Sequence, residues 1–334
     1  MKFLICGLGS IGQRHYKNLK KLGFNDILVY RTKKGSNQNF INNFEKKFKP
    51  QVFYNLNEAL AKKPKAVLIT NPTSLHVPLA IKAAKAGIHV FTEKPLSCNI
   101  KGVEKLISEI KKHKLVGYVG YNFRFHPLLK QMKKWVEAGK IGKVLSAQAE
   151  IGEYLPDWHP WENYQKTYAA RKDLDGGVVL TQSHDLDYLY WFFGKAKYIA
   201  SVGGKKSDLK INVDDLVKII IEFKSGIITA VHMDYLKRPP KRQFEILGTK
   251  GRIIWNYEEK KLTFISLQKG VKPLIIKEPL NFERNSMFIK ELKHFIKCLR
   301  GKEKPLVDLS QGKEVLKIIL AIKKSLKDKK IIKL

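Results

Sequence analysis

The feature that most constrains this chain is a glycine turn, Gly7-Leu8-Gly9-Ser10-Ile11-Gly12, placed directly after a short apolar run, Phe3-Leu4-Ile5-Cys6, and directly before an amphipathic stretch. In a strand–turn–helix setting each glycine has a mechanical use. The first permits the tight turn, the second lets the backbone approach a pyrophosphate, and the third lets the helix pack closely on the strand, while the first N–H groups of the helix stay free for an anion. Such a turn alone is weak evidence, because an ordinary glycine turn reads the same way. Its weight comes from the segments around it. As far as about Tyr121, short apolar runs alternate with amphipathic stretches, the pattern of a parallel sheet covered by helices. Six strands are expected, at Phe3–Cys6, Ile27–Tyr30, Val52–Tyr54, Ala66–Thr70, His89–Thr92 and Val116–Gly120. Helices are expected near Ile11–Leu22, Asn39–Phe48, Asn57–Lys62, Leu75–Ala86 and Ile100–His113. Asn57 and Ser74 read as helix starts, and Gly23, Gly87 and Gly117 as left-handed residues closing or following helices.

After Tyr121 the βα alternation ends. One helix (about Pro127–Ala138) is followed by β-type runs broken by two helical segments. Val217–Phe223 and Ile227–Met233 flank Lys224-Ser225-Gly226 as a hairpin, and Phe244–Leu247 and Arg252–Tyr257 continue a mostly antiparallel region. Two amphipathic helices, about Phe288–Leu299 and Gln311–Lys327, end the chain. The fold class is therefore α/β, with a parallel-sheet domain over 1–121 and an α+β domain over 122–334.

Composition narrows the function. The 334 residues carry 64 Lys+Arg against 30 Asp+Glu, a formal charge of +34, yet only nine of the basic residues are arginine. Arginine is the residue of bidentate phosphate and base recognition; lysine is a hydrated point charge that suits any solvated face. The lysines are spread through every helix, so a nucleic-acid partner is not expected. Cys6, Cys98 and Cys298 lack metal-site or disulfide spacing, which fits a reducing cytoplasm. The first apolar run is too short for a signal peptide, and none reaches the ~18 residues of a membrane span. His159 and His184 have no companions at ligand spacing, so no metal is expected.

About 20 residues beyond the glycines, at the end of the second strand, an NAD site usually presents Asp or Glu to the ribose. This chain has Tyr30-Arg31-Thr32-Lys33-Lys34. Arg31, Thr32 and a neighbouring lysine could hold a 2′-phosphate, so NADP is preferred over NAD; an Arg31 that only stacks on the adenine face would tolerate both cofactors. Two further polar segments fall at the carboxyl ends of strands, where open α/β sheets bind ligands. These are Thr70-Asn71-Pro72-Thr73-Ser74-Leu75-His76 and Thr92-Glu93-Lys94-Pro95-Leu96.

Those segments, the glycine turn continued by Gln13-Arg14-His15, and Gly120-Tyr121-Asn122-Phe123-Arg124-Phe125-His126-Pro127 together resemble the glucose–fructose oxidoreductase / inositol dehydrogenase / rhizopine-catabolism (Gfo/Idh/MocA) family over nearly the whole chain. The resemblance implies an N-terminal Rossmann domain followed by a large open antiparallel sheet whose face often joins subunits into homodimers or homotetramers. It implies an NAD(P)-dependent oxidoreductase that moves hydride between nicotinamide and a hydroxyl or keto carbon. It places Gly7, Gly9, Ser10, Ile11 and Gly12 at the pyrophosphate, and Arg31 and Thr32 at the ribose. It also puts Asn71 and Pro72 beside the nicotinamide with His76 behind them, Glu93 near the nicotinamide ribose, and Asn122 and Arg124 near the carboxamide and substrate. Lys94 becomes the acid/base group, and Lys94-Pro95 a cis peptide. Lysine can take a hydroxyl proton where burial and nearby positive charge disfavour its ammonium form.

The segment Asp175 to Tyr188 resembles the family's second catalytic motif, in which an Asp and a later His face the substrate from one helix. His184 matches the histidine, but Leu180 and Thr181 stand where the Asp belongs. Thr181 can bond a sugar hydroxyl and cannot act as a carboxylate. Either Lys94 and His184 suffice, or the chain is a cofactor-binding protein with reduced or lost catalysis. Asp187 offers a possible carboxylate or a plain salt bridge. The aromatic block from Glu153 to Tyr164, with Trp158, Trp161 and Tyr164, followed by Tyr168 and Arg171, suits either a sugar ring or a small aromatic core under a loop. Arg171 could hold a substrate anion or anchor the segment before Asp173. The block resembles a branch of the family associated with bacterial surface-polysaccharide and nonulosonic-acid genes, implying a sugar or nucleotide-sugar substrate.

Overall fold

The computed structural model describes residues 1–32, 38–160 and 162–334; Lys33, Lys34 and Trp161 lie outside them. The chain divides into two compact units, Met1–Tyr121 with Arg284–Leu316, and Asn122–Glu283 with Lys317–Leu334.

The first unit alternates β1 (Phe3–Cys6), α1 (Ser10–Lys21), β2 (Ile27–Tyr30), α2 (Gln38–Phe48), β3 (Gln51–Phe53), α3 (Leu56–Ala61), β4 (Ala66–Ile69), α4 (His76–Lys85), β5 (His89–Glu93), α5 (Val103–Lys112) and β6 (Gly117–Gly120). Its six strands pair in parallel in the order β3-β2-β1-β4-β5-β6, the doubly wound arrangement whose strand order reverses beside β1. β1, β4 and β6 are buried at every position, as a parallel sheet covered on both faces requires. Three expected capping details change. Ser74 lies within a short turn, Thr73–Leu75, and α4 begins after Leu75 with no side-chain cap bond. Asn55, not Asn57, caps α3, its side chain accepting from the Asn57 N–H at 2.9 Å. Gly117 is not left-handed; it lies in β6, where a Cβ would come within 2.8 Å of Leu309, so the position demands space rather than a special φ.

The second unit contains α6 (Pro127–Glu137), β7 (Val144–Gly152), α7 (Val178–Thr181), α8 (His184–Phe193), β8 (Ala196–Gly204), β9 (Leu216–Phe223), β10 (Ile228–Asp234), β11 (Lys241–Gly248), β12 (Gly251–Asn256), β13 (Lys261–Ser266) and β14 (Leu274–Lys277). The chain ends with α9 (Arg284–Leu299), α10 (Leu309–Asp328) and β15 (Ile332–Lys333). A nine-stranded sheet runs β14-β13-β12-β11-β7-β10-β9-β8-β15, antiparallel except where β7 meets β10. Buried and accessible residues alternate along β9 and β11, so one face packs on the core and the other is open.

The C-terminal segment is shared between the two compact units, and α9 packs in the first. Leu292, Phe295, Ile296 and Leu299 of α9 join Phe3, Ile5, Phe91 and Tyr118 in one core cluster.

Candidate functional site

In the first unit the glycine turn leaves β1 as its residue types require. Gly7 has φ +103°, and a Cβ on Gly12 would lie 2.1 Å from the Gly7 carbonyl oxygen, a clash between backbone groups that cannot give way. A Cβ on Gly9 would meet nothing within 4 Å. That opening lies at the start of α1, whose N-cap makes no side-chain hydrogen bond and whose first turn has no acid. These residues fit a pyrophosphate: backbone donors, open space and no competing carboxylate. Thr70 Oγ1 donates toward the Gly7 carbonyl at 2.7 Å and pins the end of β4 to this turn. Just beyond, Asn71 Oδ1 is buried without a hydrogen-bond partner among the described residues.

Glu93 ends β5, and Lys94 and Pro95 open the turn that follows. Lys94 is half-buried, and its peptide bond to Pro95 is cis. Glu93 is buried, with one carboxylate oxygen 2.7 Å from His15 Nε2 and the other accepting the Lys94 N–H at 3.2 Å. His76 ties this turn to the previous one: its Nδ1 lies 2.9 Å from the Pro95 carbonyl and its Nε2 2.9 Å from that of Asn71. Burial holds the His76 imidazole below the ordinary histidine range. Asn71, His76, Glu93 and Lys94 are thus brought together as expected. His15, which spacing alone did not mark as a site residue, completes the group.

Arg31 departs from expectation. It is buried, its Nε and Nη2 donate to the two Glu45 oxygens at 2.5 and 3.0 Å, and its Nη1 donates to Gln38 Oε1 at 3.1 Å. The bond to Glu45 raises its pKa. It is therefore not the free cation that the 2′-phosphate expectation required. Thr32 beside it is exposed, and Lys33 and Lys34 are outside the described residues.

In the second unit, His184 opens α8, half-buried, with its ring centroid 4.9 Å from that of Phe123. Asn122 is buried and its Oδ1 has no hydrogen-bond partner among the described residues, so it retains an unused acceptor. Three residues expected at the substrate have partners within the protein. Arg124 is buried and bidentate with Asp187, at 3.0 and 2.7 Å, so its donors serve an internal ion pair; Asp187 takes the salt-bridge role. Thr181 is buried on α7, a different helix from His184, and its hydroxyl donates to the Gly177 carbonyl at 2.9 Å and meets the Tyr235 hydroxyl. Arg171 is exposed and pairs with Asp173, the anchoring alternative.

The aromatic block is divided. Trp158 is half-buried, packs edge-on to Tyr235 at 5.3 Å, and keeps a buried Nε1 without a partner among the described residues. The Tyr164 hydroxyl accepts from the Lys210 N–H at 3.2 Å, and Tyr168 is exposed. A buried network escaped sequence reasoning altogether. Arg242 donates to Gln182 at 3.1 Å, Gln182 donates to Glu153 at 3.1 Å, and the Arg242 guanidinium lies 4.4 Å over the Phe123 ring. Gln182, the nearest of these partners in the chain, is 60 residues from Arg242, so no local spacing announces the network. Among the described residues, no group of three or more His, Cys, Asp or Glu is arranged to hold a metal ion.

A doubly wound sheet with this turn at its switch point defines a dinucleotide-binding protein, and the comparisons give its family. The description "Oxidoreductase family, NAD-binding Rossmann fold" matches residues 1–121, and "Oxidoreductase family, C-terminal alpha/beta domain" matches 133–334. The chain belongs to this Gfo/Idh/MocA oxidoreductase family, with its NAD-binding Rossmann domain and its C-terminal alpha/beta domain. It is 29% identical to myo-inositol 2-dehydrogenase of Thermotoga maritima over 345 residues, covering 100% of this chain and 98% of that one. Its fold is similar to that of levoglucosan dehydrogenase solved with NADH and levoglucosan (TM-score 0.86, 20% identity, 100% and 99% of the two chains). It is also similar to the WlbA dehydrogenase of Bordetella pertussis solved with NADH and UDP-GlcNAcA (TM-score 0.81, 20% identity, 100% and 98%).

Proposed function

We propose that the chain oxidises or reduces a hydroxyl or keto carbon of a sugar, cyclitol or nucleotide sugar, with Lys94 as the acid/base group assisted by His184. The observation that carries this reading is the turn after β5. There Lys94 is half-buried, next to a Glu93 fixed by His15, in a segment that His76 locks to the Asn71 turn. The bound nicotinamide supplies the hydride acceptor or donor. Lys94 Nζ takes or returns the hydroxyl proton, a task that needs a positioned group with a matched pKa. Asn71 and Asn122 retain amide oxygens suited to the carboxamide, and Gly7, Gly9, Ser10, Ile11 and Gly12 form the pyrophosphate turn. Trp158, Tyr164 and Tyr168 are proposed as sugar-facing aromatics; the ion pairs of Arg124 and Arg171 and the buried hydroxyl of Thr181 make these three weaker choices.

NAD(H) is the proposed cofactor. The expectation of NADP(H) rested on a free Arg31, and that guanidinium is engaged by Glu45. Subunit association through the open face of the nine-stranded sheet is part of the proposal, supported by the exposed apolar residues Val202, Ile220 and Ile228 on it. A reducing cytoplasmic setting is supported by Cys6, Cys98 and Cys298, which are buried and not joined by a disulfide. The test is to incubate purified protein and cofactor with inositols, free aldoses and UDP-, GDP- and CMP-sugars while following nicotinamide absorbance. Turnover on one class supports the reading. Tight cofactor binding with no turnover across the panel supports the alternative, a cofactor-binding protein that lacks the family's second carboxylate.

A further inference from the structure

Glu45 has no assigned role, yet its place in the first unit bears on cofactor choice. It lies on α2, whose neighbouring Phe44 is buried in the core and packs edge-on to Tyr16 at 5.2 Å. The core therefore fixes the position of α2, and the helix in turn fixes Glu45 beside Arg31. The pair is bidentate and mostly shielded, with the Arg31 side chain 8% and the Glu45 side chain 20% exposed. Gln38 from the first turn of α2 takes a third donor, and the Tyr54 ring lies 5.4 Å from the guanidinium carbon.

Arg31 stands immediately beyond β2. In a sheet of this order, that is where the adenosine ribose is read, and the 2′ substituent there is a hydroxyl in NAD and a phosphate in NADP. A phosphate brought to this point meets the negative charge of Glu45 and an arginine whose Nε, Nη1 and Nη2 already donate elsewhere. A hydroxyl bears no charge and escapes that repulsion.

We infer that Glu45 is the specificity-determining residue of this site. By closing Arg31 it selects NAD(H), and without it Arg31 becomes a phosphate ligand. The inference rests on the dinucleotide reading and makes a claim that reading does not contain, since Glu45 is supplied by a helix and lies 14 residues past the arginine it neutralises.

The test titrates the wild type, Glu45→Ala, Glu45→Gln and the double variant Arg31→Ala/Glu45→Ala with NADH and with NADPH, following nicotinamide fluorescence in the absence of substrate. The wild type is expected to bind NADH about tenfold or more tighter than NADPH. Glu45→Ala is expected to tighten NADPH by about tenfold while leaving NADH within about threefold, and removal of Arg31 as well should cancel the gain. Glu45→Gln keeps the side-chain shape and should show a smaller gain in the same direction; it decides the matter if the alanine variant fails to fold. A wild type that prefers NADPH, or variants whose NADPH-to-NADH ratio stays at the wild-type value, would overturn the inference while leaving dinucleotide binding intact. A folded wild type that binds neither cofactor would overturn the dinucleotide reading itself.

Discussion

Replacing Arg124 by Met separates two accounts of that residue. If it touches substrate, as the family resemblance implied, the variant should fold normally and bind substrate poorly. The structure instead places the Arg124 and Asp187 side chains at 2% and 1% exposure, joined by two hydrogen bonds. Met fills similar space but leaves the Asp187 carboxylate buried without its cation, a loss of about 3–5 kcal/mol. For a unit of this size each kcal/mol moves the midpoint by roughly 2–4 °C, so thermal unfolding should begin on the order of 10 °C lower. Most of that should return in the double variant Arg124→Met/Asp187→Leu, because removing both charges removes the unpaired one. The assay is thermal unfolding followed by circular dichroism, read together with KM on any active substrate. A single variant that melts with the wild type but shows a raised KM would refute the ion-pair reasoning.

Thr181→Asp should not restore a second catalytic carboxylate. Its oxygens would be buried against the Gly177 carbonyl and the Tyr235 hydroxyl, so a loss of about 3 kcal/mol in denaturant unfolding and no gain in turnover are expected. His76 makes stability depend on pH. Burial depresses its folded-state pKa, so between the unfolded value of about 6.5 and that lower value the unfolded chain binds the extra proton. Its contribution is therefore present above about pH 6.5 and lost as the pH falls through the folded-state value. Urea midpoints measured across that range should fall more steeply for the wild type than for His76→Gln, and parallel curves would count against the assignment.

The inner parallel strands were legible because strands buried on both faces become unbroken apolar runs; β1 and β2 fall at the residues read from sequence. Several strands of the larger sheet were not: β7 and β13 mix polar with apolar residues, and β14 is four residues long and accessible at every one. The return of α9 to the first unit was illegible for another reason. An amphipathic helix shows that it covers something without showing which sheet. At the site, the glycines, Asn71, Glu93 and Lys94 sit in turns that their own local sequence builds. The pairings of the arginines were not legible, because a guanidinium's use is decided by its partner. Glu45 is 14 residues from Arg31, and Asp187 is 63 from Arg124, so neither pairing leaves a trace in local sequence.

The most direct test of the central claim is Lys94→Met, measured for NADH affinity and for turnover on whichever substrate the panel identifies. The account predicts NADH binding close to wild type with turnover reduced by about a hundredfold or more, since the proton-transfer group is gone and the glycine turn is untouched. Turnover within about tenfold of wild type would contradict it.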